Sequence, residues 1–144
     1  MHYNQNGFTL IESLIVLSIF LIISSITVFS IKPQYQIATT KSFISQLKAD
    51  LFYGQQYAIA NQTEVSVIFI ENEHTYVIAA GVNSIVERNY SPRVTVGQGT
   101  IPLYFKYNRN GNVDRFGTIF IRTPQEDYKL TLLIGKGRFY VLEE

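Results

Sequence analysis

At its N-terminal end the chain shows neither a helical stripe nor strand alternation, but an unbroken apolar run. Between Phe8 and Ile31 the one charge is Glu12, and no Gly or Pro intervenes. At about 1.5 Å per residue this run would form a helix of roughly 36 Å, enough to cross the ~30 Å hydrocarbon core of a bilayer. Its many Ile, Val and Thr residues lower helix propensity in water, but lipid leaves the backbone no other way to satisfy its polar groups. The run therefore reads as a membrane helix. At Lys32-Pro33 a bend or brief break is expected, because proline disfavours helix for the residue before it. Apolar or small residues then recur three or four apart at Ile37, Ile44, Leu47, Leu51, Gly54 and Ala58, the spacing of one helix face. Phe43 and Tyr57 widen that face, and Lys41, Lys48, Asp50 and Gln55 are expected elsewhere. This predicts a second helical stretch over 34–61, or one long helix from Phe8 to Asn61. Gly54 costs about 1 kcal/mol in a helix interior; a close crossing over a sheet and chance both account for it.

From Gln62 the period shortens to two. Glu64–Ile70 places Val65, Val67 and Phe69 on one face, Glu71–His74 makes a turn, and Thr75–Ala80 returns as the second arm of a hairpin. Short strands are expected near 85–88 and 93–96, then over Ile101–Tyr107. Asn108–Asn112 contains Asn-Gly, a strong turn signal. Gly117–Arg122 is a strand, 123–127 a loop, and Tyr128–Ile134 pairs with Arg138–Leu142 across Gly135-Lys136-Gly137. The predicted fold class is α+β: a long N-terminal helix, half membrane-spanning and half sheet-packing, followed by an antiparallel β-sheet domain. The expected segments are a leader at 1–7, a transmembrane and assembly helix at 8–31, an amphipathic helix at 32–61 and a β domain at 62–144.

Glu12 is the anomaly in the apolar run. An ionised side chain at a bilayer centre costs roughly 2.5 kcal/mol or more, and less near an interface. Two readings stand. Thr9-Leu10-Ile11-Glu12 fits the S/T-x-x-E capping box, and a carboxylate suits a helix N-terminus. Equally, a carboxylate in low dielectric attracts whatever packing supplies a cation.

Gly7-Phe8-Thr9-Leu10-Ile11-Glu12 followed by an apolar helix resembles the class III signal of type IV pilins and type II secretion pseudopilins. The resemblance implies cleavage after Gly7 by a membrane-embedded prepilin peptidase and N-methyltransferase, and N-methylation of Phe8. It also implies that Glu12 meets the N-terminal ammonium of a neighbouring subunit during assembly. Further along, Phe43, Leu47, Asp50-Leu51, 55–59, Val65 to Phe69, Gly117-Thr118-Ile119 and Gly135-Lys136-Gly137-Arg138 resemble the minor pilin branch related to GspH and FimT. Within that branch the chain is most similar to minor pilins of the competence pilus. The implied partners are other major and minor pilins, the peptidase, the assembly platform and its ATPase, the membrane and DNA. The implied location is a single-pass membrane precursor that becomes part of a surface pilus, and the implied role is DNA uptake in transformation. A GspH-like pseudopilin of type II secretion, binding protein substrates, is the alternative. Family leaders are usually basic, whereas 1–6 carry no Lys or Arg, which an upstream start codon would explain. A secretory signal cut near Val28-Phe29-Ser30 is the rival reading of the run.

Composition and charge add little globally and more locally. The net charge is +1 and there is no Cys, so neither disulfides nor thiolate metal sites are available. No catalytic, metal or cofactor set emerges. His74 is the one imidazole outside the leader and falls in a turn, where a solvated role is expected. G-x-S-x-G, H-E-x-x-H and the phosphate-cradling G-x-x-x-x-G-K-[ST] are all missing. Glu126-Asp127 beside Pro124 reads as a polar loop. From Asp50 to Glu87 every charge is acidic, whereas Arg88 to Arg138 holds nine basic residues against three acidic, with tyrosines interleaved. Cations meet phosphates and rings stack on exposed bases, although a half-solvated sheet looks the same. The candidate DNA-binding residues are Lys136 and Arg138 at the glycine-flanked tip, then Arg109 and Arg115 around the Asn-Gly turn.

Overall fold

The computed structural model describes residues 9–135 and 137–144, with side chains described for 9–26, 41–135 and 137–144. The leader, Gly7, Phe8 and Lys136 lie outside these residues, as do the side chains of Val28, Phe29 and Ser30. The chain divides into two units, Met1–Ala38 and Thr39–Glu144.

Helix α1 spans Leu10–Ala60 and continues through Pro33, so the expected break is not there. Proline removes one i→i−4 bond, but its fixed φ is itself helical, and helix-compatible sequence on both sides carries the turn through. In the first unit the described apolar side chains, Leu14, Val16, Leu17 and Phe20 among them, stand exposed. Among the described residues no helix is long and apolar enough to cross a membrane; the described side chains stop at Ile26, while the apolar run itself continues to Ile31.

The second unit is built on eight strands: β1 (Val65–Ile70), β2 (Thr75–Ala80), β3 (Asn83–Asn89), β4 (Thr95–Gln98), β5 (Tyr104–Tyr107), β6 (Gly117–Arg122), β7 (Asp127–Leu132) and β8 (Phe139–Glu143). They form two four-stranded sheets, ordered β3-β2-β1-β5 and β4-β6-β7-β8. All pairings are antiparallel. The division arises because β5 returns to pair with β1, Val65 opposite Tyr107, while β4 pairs forward with β6. The strand expected over Ile101–Tyr107 begins only at Tyr104; Pro102 has no N–H to give a ladder.

The alternation read at β1 holds, with Val65, Val67 and Phe69 buried. They meet the helix face made by Ile44, Leu47, Leu51 and Ala58, together with Ile78 and Phe105. Each of the Val, Leu, Ile and Phe side chains among them contributes roughly 1.5–3 kcal/mol on leaving water. Gly54 is the close crossing: a Cβ there would stand 2.9 Å from Ile78 Cγ2, a branched methyl that cannot swing aside. Gly54→Val is therefore expected to destabilise the chain by about 2 kcal/mol through overpacking, although it replaces the poorer helix former. Urea denaturation checks this; an unchanged midpoint would mean that the crossing is loose.

Two residues of α1 depart from expectation. Asp50 and Gln55, read as lying off the buried face, are 6% and 8% exposed. Each is buried because partners far along the chain satisfy it.

Candidate functional site

Helix α1 starts where the capping box predicts. Thr9 Oγ1 accepts a hydrogen bond from the Glu12 N–H at 3.4 Å, and the Thr9 carbonyl accepts from the Ser13 N–H at 3.2 Å. The Ser18 hydroxyl bonds back to the Leu14 carbonyl at 2.8 Å, hiding its polarity within the helix. The Glu12 carboxylate is exposed, and among the described residues no partner neutralises it. The cap thus uses the Glu12 backbone and leaves its charge available.

The basic turns are built by short-range chemistry. In Asn108–Asn112 the Asn108 side-chain oxygen accepts from the N–H of Asn110 and Asn112, at 2.9 and 3.0 Å. The Asn108 carbonyl accepts from the Gly111 N–H at 2.8 Å. Gly111 has φ +74°, a left-handed conformation that costs glycine little. In the β7–β8 connection the Leu133 N–H donates to the Arg138 carbonyl at 2.8 Å, and Gly137 has φ +57°. The two turns abut. A Cβ on Gly137 would collide with the Gly111 carbonyl oxygen and with Gln55 Nε2. Gln55 Nε2 itself donates to that carbonyl at 2.9 Å. One buried helix side chain thus ties together turns from different sheets, and it brings the exposed Arg109 and Arg138 onto adjoining loops.

Arg115 goes elsewhere. Its Nε lies 3.4 Å from the Asp114 carboxylate and its guanidinium 5.6 Å from the Tyr104 ring centroid. Lys106 approaches the same ring, 5.9 Å away, and pairs with Glu64 at 3.7 Å. The hydrogen bond with Tyr104, then nearby charge, holds the Lys106 pKa above its ordinary value. Asp114 is tied to β5 twice: its carboxylate accepts from the Lys106 N–H at 2.7 Å, and its own N–H donates to the Lys106 carbonyl at 2.9 Å. Arg115 is therefore an ion-paired member of a separate corner rather than part of the tip that carries Arg109 and Arg138.

The group that the sequence pattern missed surrounds Asp50. Its two carboxylate oxygens accept from the Tyr76 hydroxyl at 2.7 Å, Arg88 Nε at 3.1 Å and Gln46 Nε2 at 2.9 Å. Burial, then the bond to Asp50, raises the Tyr76 pKa. The same carboxylate raises that of Arg88. Three donors from α1, β2 and β3 make this a clamp between helix and sheet. Its signal in the sequence was an acid one residue before a core leucine, uninformative without the distant partners.

His74 is half-buried rather than solvated. It caps the 3₁₀ turn Glu71–Glu73 in a left-handed conformation and packs edge-on to Tyr90, ring centroids 5.8 Å apart. Glu126 accepts from the Tyr128 hydroxyl at 2.7 Å, a bond that lowers the Glu126 pKa. Asp127, expected in the loop, opens β7. Among the described residues no cluster of His, Asp and Glu is placed to hold a metal ion.

Comparison with known proteins covers most of the chain. The prokaryotic N-terminal methylation motif matches residues 2–28. The competence protein ComGD of Bacillus subtilis (strain 168) is 30% identical over 137 residues, covering 95% of this chain and 93% of its own length. The type IV minor pilin FimU of Pseudomonas aeruginosa (strain PAO1) superposes with a TM-score of 0.59 at 15% identity, over 71% of this chain and 87% of FimU. The minor pseudopilin EpsH from the Type 2 Secretion System of Vibrio cholerae does so at 0.57 and 13%, over 73% of this chain and 97% of EpsH. At those identities the two solved structures speak for the fold.

Proposed function

The chain belongs to the family of the competence protein ComGD, among the type IV minor pilins and pseudopilins, and from that premise we propose that it is a minor pilin of a competence pilus, required for DNA binding and uptake in transformation. The observation that carries this reading is the similarity to ComGD, which extends over nearly the full length of both chains. In this reading the precursor crosses the cell membrane once through 8–31. Prepilin peptidase cuts it after Gly7 and methylates Phe8. Glu12 then draws the chain into a fibre of other major and minor pilins, on an assembly platform driven by a separate ATPase. The exposed apolar side chains of Leu10 to Ile26 suit a helix surrounded first by lipid and then by neighbouring helices. The mass of the N-terminal peptide from cells tests processing: it should begin at methylated Phe8, and a peptide beginning at Met1 or Ile31 would refute it.

DNA is held, in this reading, by the tip where the Arg109 and Arg138 turns adjoin, with Lys136 between the glycines of the second turn. Two guanidiniums on abutting loops, neither ion-paired among the described residues, offer phosphate contacts without a helix or strand entering a groove. A deletion strain should lose transformation. In gel shifts of the full-length chain, Arg109→Ala and Arg138→Ala should each lower duplex affinity and reduce the slope of log K against log salt by about 1. Binding indifferent to salt and to both substitutions would remove the tip from the mechanism.

A further inference from the structure

Phe116 is 63% exposed, and its backbone is tied down on both sides. Two residues before it, Asp114 is bonded twice to Lys106 on β5. Immediately after it, Gly117 has φ +145° and lies so close to Thr100 and Ile101 that a Cβ would collide with both. The neighbouring Thr118 N–H donates to the Thr100 hydroxyl at 2.8 Å. Between these anchors the Arg115 guanidinium lies over the Tyr104 ring, 5.6 Å from its centroid, and is held by Asp114. A large ring displayed on an anchored loop loses little freedom when something lands on its face.

The charges around it are balanced: Lys106 by Glu64 and Arg115 by Asp114. Phosphate attraction is therefore not this corner's main asset; with Lys106 and Arg115 already over the Tyr104 ring, the exposed ring of Phe116 is. Phe116 shares its loop with Arg109, so one loop carries a phosphate contact and an aromatic face. From this juxtaposition, and resting on the DNA reading above, we infer that the Tyr104–Lys106–Arg115–Phe116 corner stacks the unpaired bases of single-stranded DNA, with Phe116 as the stacking ring. Every base has a π-face, so such a platform is sequence-tolerant, but in a duplex those faces are already occupied by neighbouring bases.

The chain contains no tryptophan, so Phe116→Trp introduces a single indole reporter. With the full-length chain in detergent micelles, an oligothymidine should quench that indole and an equal-length duplex should leave it bright. Phe116→Ala should reduce the ratio of single-strand to duplex affinity about tenfold, the scale of one lost stacking contact. Equal quenching by both forms, or an unchanged ratio in Phe116→Ala, overturns the stacking role while leaving the basic tip standing. Failure of the unsubstituted chain to bind either form brings down the DNA reading and this corner with it.

Discussion

Replacing Glu12 by alanine is expected to leave the chain folded and inserted in the membrane, yet absent from the pilus. The hydrogen bond that caps the helix survives, because Thr9 Oγ1 accepts from the Glu12 N–H, and the carboxylate's favourable place in the first turn is worth only about 0.3–1 kcal/mol. Removing an unpaired carboxylate from an apolar run should ease insertion, by up to a few kcal/mol toward the bilayer centre. What disappears is the attraction for a cation in a medium where each charge alone is poorly solvated. Under the proposed processing, the α-ammonium that cleavage before Phe8 would free is the cation at hand, and a methyl group would leave it charged. Quantifying the variant in membranes and in sheared pili separates the two steps: membrane level near wild type, pilus level reduced at least tenfold. Normal incorporation of Glu12→Ala would end the charge-pairing account.

The largest loss of stability is expected from Asp50→Ala. It strips the buried Tyr76 hydroxyl of its acceptor and Arg88 and Gln46 of theirs. An unsatisfied buried hydroxyl costs roughly 1–3 kcal/mol. Breaking a buried charge pair costs roughly 3–5, here discounted because half of the Arg88 side chain is in solvent. Together these give about 3 kcal/mol, read by urea denaturation of the full-length chain in mild detergent. In a cycle with Tyr76→Phe the two losses should fall short of additive; strict additivity would mean that the clamp does not act as a unit. The raised pKa of Tyr76 adds a pH signature. The stability it contributes is full below the ordinary tyrosine value near 10 and is lost as pH rises above it. Asp50→Ala removes the second cause of that shift, so its alkaline loss should be shallower.

These two positions show what a one-dimensional reading can reach. Glu12 stands out because everything around it is apolar, and a lone charge in such a run is informative without partners. The hairpins of β1–β2 and β7–β8 were legible for a similar reason: alternation and turn residues are local. Asp50 and Gln55 were misplaced because periodicity assigns faces by residue type. Burial of a polar side chain is decided by donors and acceptors 26 to 56 residues away. The split into two sheets was hidden in the same way: alternation marks β5 as a strand without saying that it returns to β1. Of the basic candidates, Arg109 and Arg138 adjoin through two glycines and a helix glutamine. Arg115 has its own acid next door, a pairing that the sequence order Asp114-Arg115 already displayed.

The return of β5 to β1 also sets an order of events during synthesis. A chain emerging N-terminus first can close the β1–β2 and β2–β3 hairpins early, and Arg88 arrives in time to engage Asp50. β1 nevertheless keeps an open edge until Tyr104–Tyr107 emerges, and β4, already made, waits for β6. For that interval two strands expose unpaired backbone, the state most prone to cross-chain pairing. The chain has no cysteine, so no disulfide holds the partly made sheets during that interval.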